Sequence, residues 1–232
     1  MKLFIDSSDI DEIREALRYG VSGVTTNPTT MAKAGVSIEE RIEAICRLPG
    51  IGGVEFPVSA QVTESDATRM AGQAAGFLKI SPNVMVKLPA SEEGLRCCGL
   101  LNFTLTACHV NVTLIFSPTQ ALIAAQNGAW CVSPFLCRWR DQRAVQYKHP
   151  VIPPEIRRQG VDFLRSIINA VKGTDCRVLA ASIRSPEDVE DAIEAGCDIA
   201  TVSLKVLKQM MAHPKTDEGL AKFMVDWKAG QK

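Results

Sequence analysis

Short apolar runs alternate along the chain with longer segments in which apolar residues recur at helical spacing. The runs are continuously apolar, as expected for parallel strands that helices cover on both faces. Eight strands alternating with helices predict an α/β fold, a single (β/α)8 TIM barrel with an extra C-terminal helix. The strands are predicted at residues 3–5, 21–24, 54–58 with a polar extension to 62, 83–89, 110–116, 128–135, 177–182 and 198–202.

The barrel is predicted to span residues 1–232 as one domain, with the C-terminal helix at about 215–230. An open, doubly wound sheet is the alternative, but no glycine-rich phosphate or dinucleotide loop follows the first strand. Residues 136–158 are the least regular part of the chain and contain three prolines. We therefore predict an irregular functional loop or lid there.

Composition excludes several classes of partner. Lys and Arg total 26, Asp and Glu total 26, and the net charge is zero, so we expect neither a nucleic-acid partner nor binding to an acidic membrane. No apolar window is long enough to span a membrane. Charged residues occur within positions 1–6, which is too early for the apolar stretch of a signal peptide. The two observations predict a cytoplasmic location. The eight cysteines form no CxxC pair and only three histidines occur, so we expect reduced thiols and no structural zinc site.

The predicted strand at residues 83–89 has a lysine, Lys87, at its polar end. Burying an ammonium group is costly unless it is paired or neutralised, and desolvation lowers its pKa. The resulting neutral amine can attack a carbonyl group and form a Schiff base, which makes Lys87 a candidate nucleophile. In the simpler interpretation, Lys87 lies just past the strand and extends its ammonium group to water.

Polar side chains stand at the carboxyl ends of most predicted strands. In a barrel these ends meet at one mouth, which is the reactive face. Simpler explanations exist for single residues: Asp6 as a helix cap, Asn27 as a turn residue and Arg138 as a solvated loop charge. Their joint placement nevertheless predicts one site. Its members are Asp6, Thr25, Asn27, Gln61, Lys87, Thr113, Phe135, Arg138, Ser182 and Arg184.

Seven short motifs are specific when taken together. They are FID at 4–6, GVTTNP at 23–28, VMVKLP at 84–89, NVTLIFS at 111–117, VSPF at 132–135, LAASIR at 179–184, and KF with a following Trp at 222–227. With these motifs nearly the whole chain resembles the short transaldolase and fructose-6-phosphate aldolase family of class I, Schiff-base-forming (β/α)8 enzymes. Only residues 136–158 depart from the family, which has a small residue, an arginine and a loop of acidic residues and glycines there.

The resemblance implies a mechanism without any cofactor, acting on phosphorylated or sulfonated ketose and aldose substrates. Lys87 would form an iminium with the ketone, and Asp6 would be the general base on the C4 hydroxyl when the C3–C4 bond breaks. Gln61 and Thr113 would hold the water that carries protons during Schiff-base formation. The residues implied to bind substrate are Thr26, Asn27, Asn111, Ser133, Phe135, Arg138, Ser182 and Arg184, the last three at the terminal phosphate.

Four positions distinguish the two branches of the family. Phe135, Asn111 and Ser133 resemble the transaldolases, which transfer a dihydroxyacetone unit to an acceptor aldehyde. Gln61 resembles the aldolases, which release free dihydroxyacetone. Transfer is therefore predicted, and release is the alternative. An amide at Gln61 can hydrogen-bond water but cannot take its proton, which would slow turnover.

Residues Trp139 and Arg140 replace small or acidic residues beside the predicted anion pocket. Either this loop is exposed and has merely diverged, or the anion is a sulfonate, as in 6-deoxy-6-sulfofructose.

Another alternative for the whole protein is a non-catalytic sugar-phosphate binder in which Lys87 is only a salt-bridge partner. A lysine aldolase of the deoxyribose phosphate type is disfavoured by Asp6 and by the Thr-Thr-Asn-Pro loop at residues 25–28.

The predicted C-terminal helix carries apolar and aromatic residues that need a surface to pack on: Leu220, Phe223, Met224 and Trp227. Members of the resembled family form dimers or decamers through this region. The resemblance therefore implies a homo-oligomer, a dimer to a decamer, whereas the alternative is that the helix packs against its own barrel.

Overall fold

A closed barrel of parallel strands organises the chain. The computed structural model describes residues 1–52, 55–104, 108–146 and 153–231. Each strand pairs in parallel with the next, and the last pairs with the first. The predicted (β/α)8 barrel is thus confirmed. The strands are β1 (Lys2–Asp6), β2 (Val24–Thr25), β3 (Val58–Gln61), β4 (Val84–Pro89), β5 (Val110–Ile115), β6 (Cys131–Pro134), β7 (Arg177–Ala180) and β8 (Ile199–Val202).

Helices follow the strands around the outside of the barrel. Several begin with a side chain that caps the first backbone amides; Ser37 and Ser185, for example, each form a capping box with the residue three positions on. None of the described helices is both long and apolar enough to cross a membrane. The helices are α1 (Ile10–Leu17), α2 (Pro28–Met31), α3 (Ile38–Cys46), α4 (Ala67–Leu78), α5 (Glu92–Thr104), α6 (Pro118–Gln126), α7 (Leu136–Gln146), α8 (Pro154–Val171), α9 (Pro186–Ala195), α10 (Leu204–Met211) and α11 (Pro214–Ala229).

Two apolar clusters hold the layers together. The larger joins one face of the strands to the helices, and the smaller joins residues of β1, β4, β6, β7 and β8, among them Phe4 and Met85. Because successive side chains of a strand face opposite sides, the smaller cluster fills the barrel interior. We call this smaller cluster the apolar plug. A Cβ atom on Gly23 would lie 2.6 Å from the Phe4 ring, so only glycine fits beside the plug. The plug leaves the carboxyl ends of the strands to polar residues.

The starts of three strands differ from the sequence prediction by three or four residues, and one of them is β6, which begins at Cys131 rather than at residue 128. β2 begins at Val24 rather than at residue 21, and the polar loop after it contains the short helix α2, which Asn27 caps. β3 begins at Val58 rather than at residue 54, because Pro57 has no amide hydrogen to donate to a neighbouring strand. Val54 itself lies outside the described residues.

The prediction of an irregular loop at residues 136–158 is wrong for most of that segment. Residues 136–146 form helix α7, α8 begins at Pro154, and 147–152 lie outside the described residues. Helix α7 is secured by Arg140, which is 3% exposed. Its guanidinium donates to Asp188 Oδ1 at 2.7 Å, to Asp191 Oδ2 at 2.7 Å and to a backbone carbonyl of α8 at 2.9 Å. Ion pairs between distant residues leave no hydrophobic periodicity, so the sequence pattern did not reveal this helix.

Replacing Arg140 with alanine should strongly destabilise the barrel. The substitution removes the buried partner of Asp188 and Asp191 and leaves Asp191 only its pair with Arg157. The free energy of unfolding should fall by about 3 kcal/mol. Urea denaturation followed by circular dichroism measures this loss. The matched control is Arg158→Ala, because Arg158 is 58% exposed in its pair with Glu194 and should cost less than about 1 kcal/mol. Equal losses in the two variants would contradict the structural role of Arg140.

Candidate active site

A cavity of about 320 Å³ opens at the carboxyl ends of the strands. It collects residues from strands and loops that are far apart in the sequence, as expected for a barrel mouth. The predicted site residues that line it are Asp6, Thr25, Asn27, Gln61, Lys87, Thr113, Ser133, Phe135, Arg138 and Ser182. Three other predicted residues, Thr26, Asn111 and Arg184, do not line it.

Lys87 projects from β4 into this cavity and is 5% exposed. Its Nζ donates a hydrogen bond to the backbone carbonyl of Thr26 at 2.9 Å. Burial lowers the pKa of Lys87, the charge of Arg138 acts in the same direction, and the nearby Asp6 carboxylate partly opposes both. The interpretation in which Lys87 extends to water is therefore wrong. The site holds a fixed amine that loses its proton more readily than an exposed lysine.

Asp6 ends β1 at the edge of the same cavity. Its Oδ1 accepts a hydrogen bond from the Thr25 hydroxyl at 2.9 Å, and this hydroxyl shares a second one with the Thr201 hydroxyl at 2.7 Å. The cap of α1 is Asp9, so the explanation of Asp6 as a helix cap is wrong. Thr201 is a cavity residue that the sequence analysis missed; a polar residue inside the apolar run of β8 was the available signal.

Two residues beside Lys87 carry polar groups with room for another partner. Gln61 ends β3 in register with Lys87 and lines the cavity. Thr113 lies on β5, and its hydroxyl is buried without a hydrogen-bond partner among the described residues. An unpaired buried hydroxyl is costly, by about 1–3 kcal/mol. A group that occupies the cavity could satisfy it.

Three predicted binding residues form the support beneath the cavity. Ser133, which lines the cavity, donates to Asn111 Oδ1 at 2.7 Å, and Asn111 Nδ2 donates to the Ser59 hydroxyl at 3.4 Å. Thr26 gives its carbonyl to Lys87 and donates from its hydroxyl to the Ser59 carbonyl at 2.6 Å. Asn111 and Thr26 are fully buried. They therefore orient cavity residues in this structure rather than line the cavity.

Asn27 has two roles in the structure. It lines the cavity, and its Oδ1 accepts a hydrogen bond from the backbone amide of Thr30 at 3.0 Å. The predicted turn role of Asn27 is thus present as a cap of α2. Because the cap uses the oxygen, the side-chain nitrogen is the group of Asn27 that could serve a ligand.

The predicted anion end is divided between two cavities. Arg138 and Ser182 line the one that holds Lys87, and the Arg138 guanidinium lies 5.0 Å from the centre of the Phe135 ring. Arg184 instead lines a neighbouring cavity of about 650 Å³. There its guanidinium donates to both carboxylate oxygens of Asp141, at 2.9 and 2.6 Å.

Two residues expected beside the anion pocket lie outside the cavity that holds Lys87, although Arg140 lines the neighbouring cavity with Arg184. The Trp139 ring stacks on Phe163 of α8 with centroids 4.8 Å apart. Arg140 is buried against α9, so the interpretation of residues 136–146 as an exposed, merely diverged loop is wrong. Neither residue lines the cavity with Lys87, so the predicted aromatic wall and second guanidinium are not part of it.

Replacing Lys87 with methionine should stabilise the fold at neutral pH. Lys87 titrates near 10.5 in the unfolded chain and at a lower pH in the folded protein. The unfolded chain therefore binds the proton of the Lys87 ammonium group more tightly than the folded protein does. Lys87→Met removes the cost of the buried charge and should add about 1 kcal/mol to the free energy of unfolding at pH 7. The gain should shrink as the pH rises towards 10.5.

Urea denaturation at pH 7, 8.5 and 10 tests this expectation. Lys79 is exposed and is the C-cap of α4, so Lys79→Met is the matched control. This substitution should change the free energy of unfolding by less than about 0.5 kcal/mol at every pH. A gain for Lys87→Met that does not change with pH would rule out the proposed cause.

The described part of the chain holds no group of three His, Cys, Asp or Glu side chains placed to bind a metal ion.

The chain is similar to known proteins over nearly its whole length. A family model described as transaldolase/fructose-6-phosphate aldolase matches residues 3–232. A protein named probable transaldolase 1 from Bacillus cereus is 42% identical over 234 residues, which cover 100% of this chain and 99% of that protein. Proteins named probable transaldolase from Parvibaculum lavamentivorans and Symbiobacterium thermophilum are 44% and 39% identical, each over 100% of this chain and 99% of their own length. The chain therefore belongs to the transaldolase/fructose-6-phosphate aldolase family.

Proposed function

We propose that the protein transfers a dihydroxyacetone unit from a fructose 6-phosphate-like ketose to an aldehyde acceptor through a Schiff base on Lys87. The observation that carries the proposal is the buried Lys87 amine, fixed at the carboxyl end of β4 inside the cavity. Burial favours the neutral amine, which is the nucleophilic form. An amine held for a salt bridge alone would keep its charge, whereas Lys87 forms no ion pair among the described residues and donates instead to the Thr26 carbonyl.

The proposed reaction uses Lys87 and Asp6 in succession. The Lys87 amine adds to the ketone and loses water, and the positive iminium accepts the electron pair when the C3–C4 bond breaks. Asp6 takes the proton of the C4 hydroxyl as the aldehyde departs. The Thr25 hydroxyl, which is itself bonded to the Thr201 hydroxyl, holds the Asp6 carboxylate in place. The three-carbon enamine stays on Lys87.

Gln61 and Thr113 are proposed to hold the water of Schiff-base formation and hydrolysis. The Thr113 hydroxyl has an unused hydrogen-bonding capacity in the described structure, and Gln61 lies in register with Lys87 on the neighbouring strand. One water molecule that contacts both side chains would stand beside the nitrogen of the iminium. Asn27 would bind a hydroxyl of the three-carbon unit through its side-chain nitrogen.

Arg138 and Ser182 are proposed to bind the terminal anion of the substrate, since both line the cavity. Arg184 would join them only by exchanging the Asp141 carboxylate for the substrate. The side chains of this pair are 55% and 45% exposed, and exposed pairs contribute only about 0–1 kcal/mol. A phosphate could therefore displace Asp141.

Transfer is favoured over release of free dihydroxyacetone. Phe135 lines the cavity without a hydroxyl that could hold an additional water molecule, as a tyrosine would. The aldolase reaction remains the second candidate because Gln61 resembles that branch. A sulfonate at C6 has less support, since Trp139 and Arg140 lie outside the cavity.

Homo-oligomerisation and a cytoplasmic location are part of the proposal. No residue of α11 is buried in the described chain, and Phe223 and Trp227 are 68% and 65% exposed. The alternative in which α11 packs against its own barrel is therefore wrong. Exposed aromatic residues of this kind are typical of surfaces that pack against another chain.

A product assay with fructose 6-phosphate tests the proposed reaction. Glyceraldehyde 3-phosphate and free dihydroxyacetone are measured with and without erythrose 4-phosphate, and borohydride trapping followed by mass spectrometry locates the Schiff base. We expect glyceraldehyde 3-phosphate to accumulate only with acceptor, and an added three-carbon unit on Lys87. Lys87→Met should abolish both signals, whereas Lys79→Met should retain them.

Each other result assigns a different function. Free dihydroxyacetone without acceptor would identify an aldolase. Trapping by a 6-sulfonated ketose but not by fructose 6-phosphate would identify the sulfonate substrate. Binding of the sugar phosphate without any borohydride trapping on Lys87 would identify the protein as a non-catalytic binder.

Replacing Gln61 with glutamate should raise turnover. A carboxylate can take a proton from the bound water as well as hydrogen-bond it, so kcat should rise by roughly tenfold. Gln61→Met keeps the length of the side chain but removes its hydrogen bonds, so its kcat should fall. Steady-state kinetics of the transfer reaction measures both variants, and equal kcat values for all three proteins would exclude a role for this position in proton transfer.

A further inference from the structure

Strand β5 is irregular where it meets the cavity. Thr113 pairs with Ser133 and Ile115 pairs with Pro134, so two steps along β5 match one step along β6. Leu114 is the extra residue of this β-bulge, and bulges beside active sites redirect side chains. Thr113 and Leu114 therefore both line the cavity, whereas successive residues of a regular strand face opposite sides.

The backbone of Leu114 is strained. Its φ is 61°, in the left-handed region that a bulky, branched side chain rarely adopts. Among the described non-glycine residues, only Ser182 also has a positive φ, and it lines the same cavity. Strain that recurs at one cavity indicates that the placement of these two side chains matters for function.

The side chain placed by this strain is apolar. The Leu114 side chain can hydrogen-bond neither a sugar hydroxyl nor a water molecule, yet it follows Thr113, whose buried hydroxyl has unused hydrogen-bonding capacity in the described structure. Leu114 and Phe135 both line the cavity that holds Lys87. The cavity thus combines polar reacting groups with apolar residues that offer no site for additional water.

We propose that Leu114 directs the reaction towards transfer by leaving no place for a second, proton-donating water molecule next to the one that Gln61 and Thr113 are proposed to hold. The inference rests on the proposed function. After bond cleavage the enamine either attacks the acceptor aldehyde, which forms a new C–C bond, or takes a proton on its carbon. That proton is the one that Asp6 received from the C4 hydroxyl, relayed by water. In both cases one further water hydrolyses the iminium and returns the Lys87 amine, so only protonation of the enamine separates the two outcomes.

Leu114→Asn tests the proposal because asparagine resembles leucine in size, tolerates a left-handed backbone and offers an amide to water. With fructose 6-phosphate and erythrose 4-phosphate, the ratio of free dihydroxyacetone to transferred product should rise roughly fivefold, as expected for one gained hydrogen bond to water. Leu114→Met keeps an apolar side chain, and its ratio should remain near that of the unaltered protein. Leu114→Gly removes the side chain and the strain, so its ratio should rise as well.

Borohydride trapping on Lys87 and thermal unfolding are measured for every variant. An unchanged ratio in folded, trappable Leu114→Asn and Leu114→Gly proteins would overturn the role of Leu114 and leave the proposed function intact. Equal rises in the methionine and asparagine variants would also overturn it, because packing rather than polarity would then control the ratio. Absence of trapping in the unaltered protein would contradict both proposals.

Discussion

The desolvated amine of Lys87 is the constraint on which the rest of the site depends. A buried ammonium group is tolerated only where polar partners offset the loss of water. The closed barrel supplies them from neighbouring strands and loops: the Thr26 carbonyl at 2.9 Å and the charge of Asp6. The apolar plug around Phe4 and Met85 fills the barrel interior. Lys87 is therefore held at a fixed place, where burial outweighs these partners and keeps its pKa below that of an exposed lysine.

The polar groups around Lys87 form two layers with different roles. The upper layer lines the cavity and keeps unused hydrogen-bonding capacity, as at the Thr113 hydroxyl. In the lower layer the side chains bond to one another: Ser133, which also lines the cavity, donates to Asn111, and Asn111 donates to Ser59. A satisfied network is rigid because each member would lose a partner by moving. The lower layer thus orients the strands, and the upper layer is free to bind a substrate.

The sequence predicted the barrel and most of the cavity because both follow from local pattern. Continuous apolar runs indicate buried parallel strands, and a polar residue at the end of each run must then face the mouth, as Asp6, Gln61 and Lys87 do. Features that depend on distant pairs were missed. Arg140 finds its carboxylates about 50 positions away, on α9, and a β-bulge such as that at Leu114 changes no hydrophobic periodicity.

Helix α7 shows why one charged segment can serve several purposes. Successive residues of an α-helix point about 100° apart. Arg138 therefore reaches the cavity, Arg140 reaches the carboxylates of α9, and Asp141 reaches Arg184. Arg140 is buried and bonded on several sides, so it cannot exchange partners without a large cost. The exposed pair of Asp141 and Arg184 can exchange at little cost. Burial thus separates the structural charge from the adaptable charges near the proposed anion site.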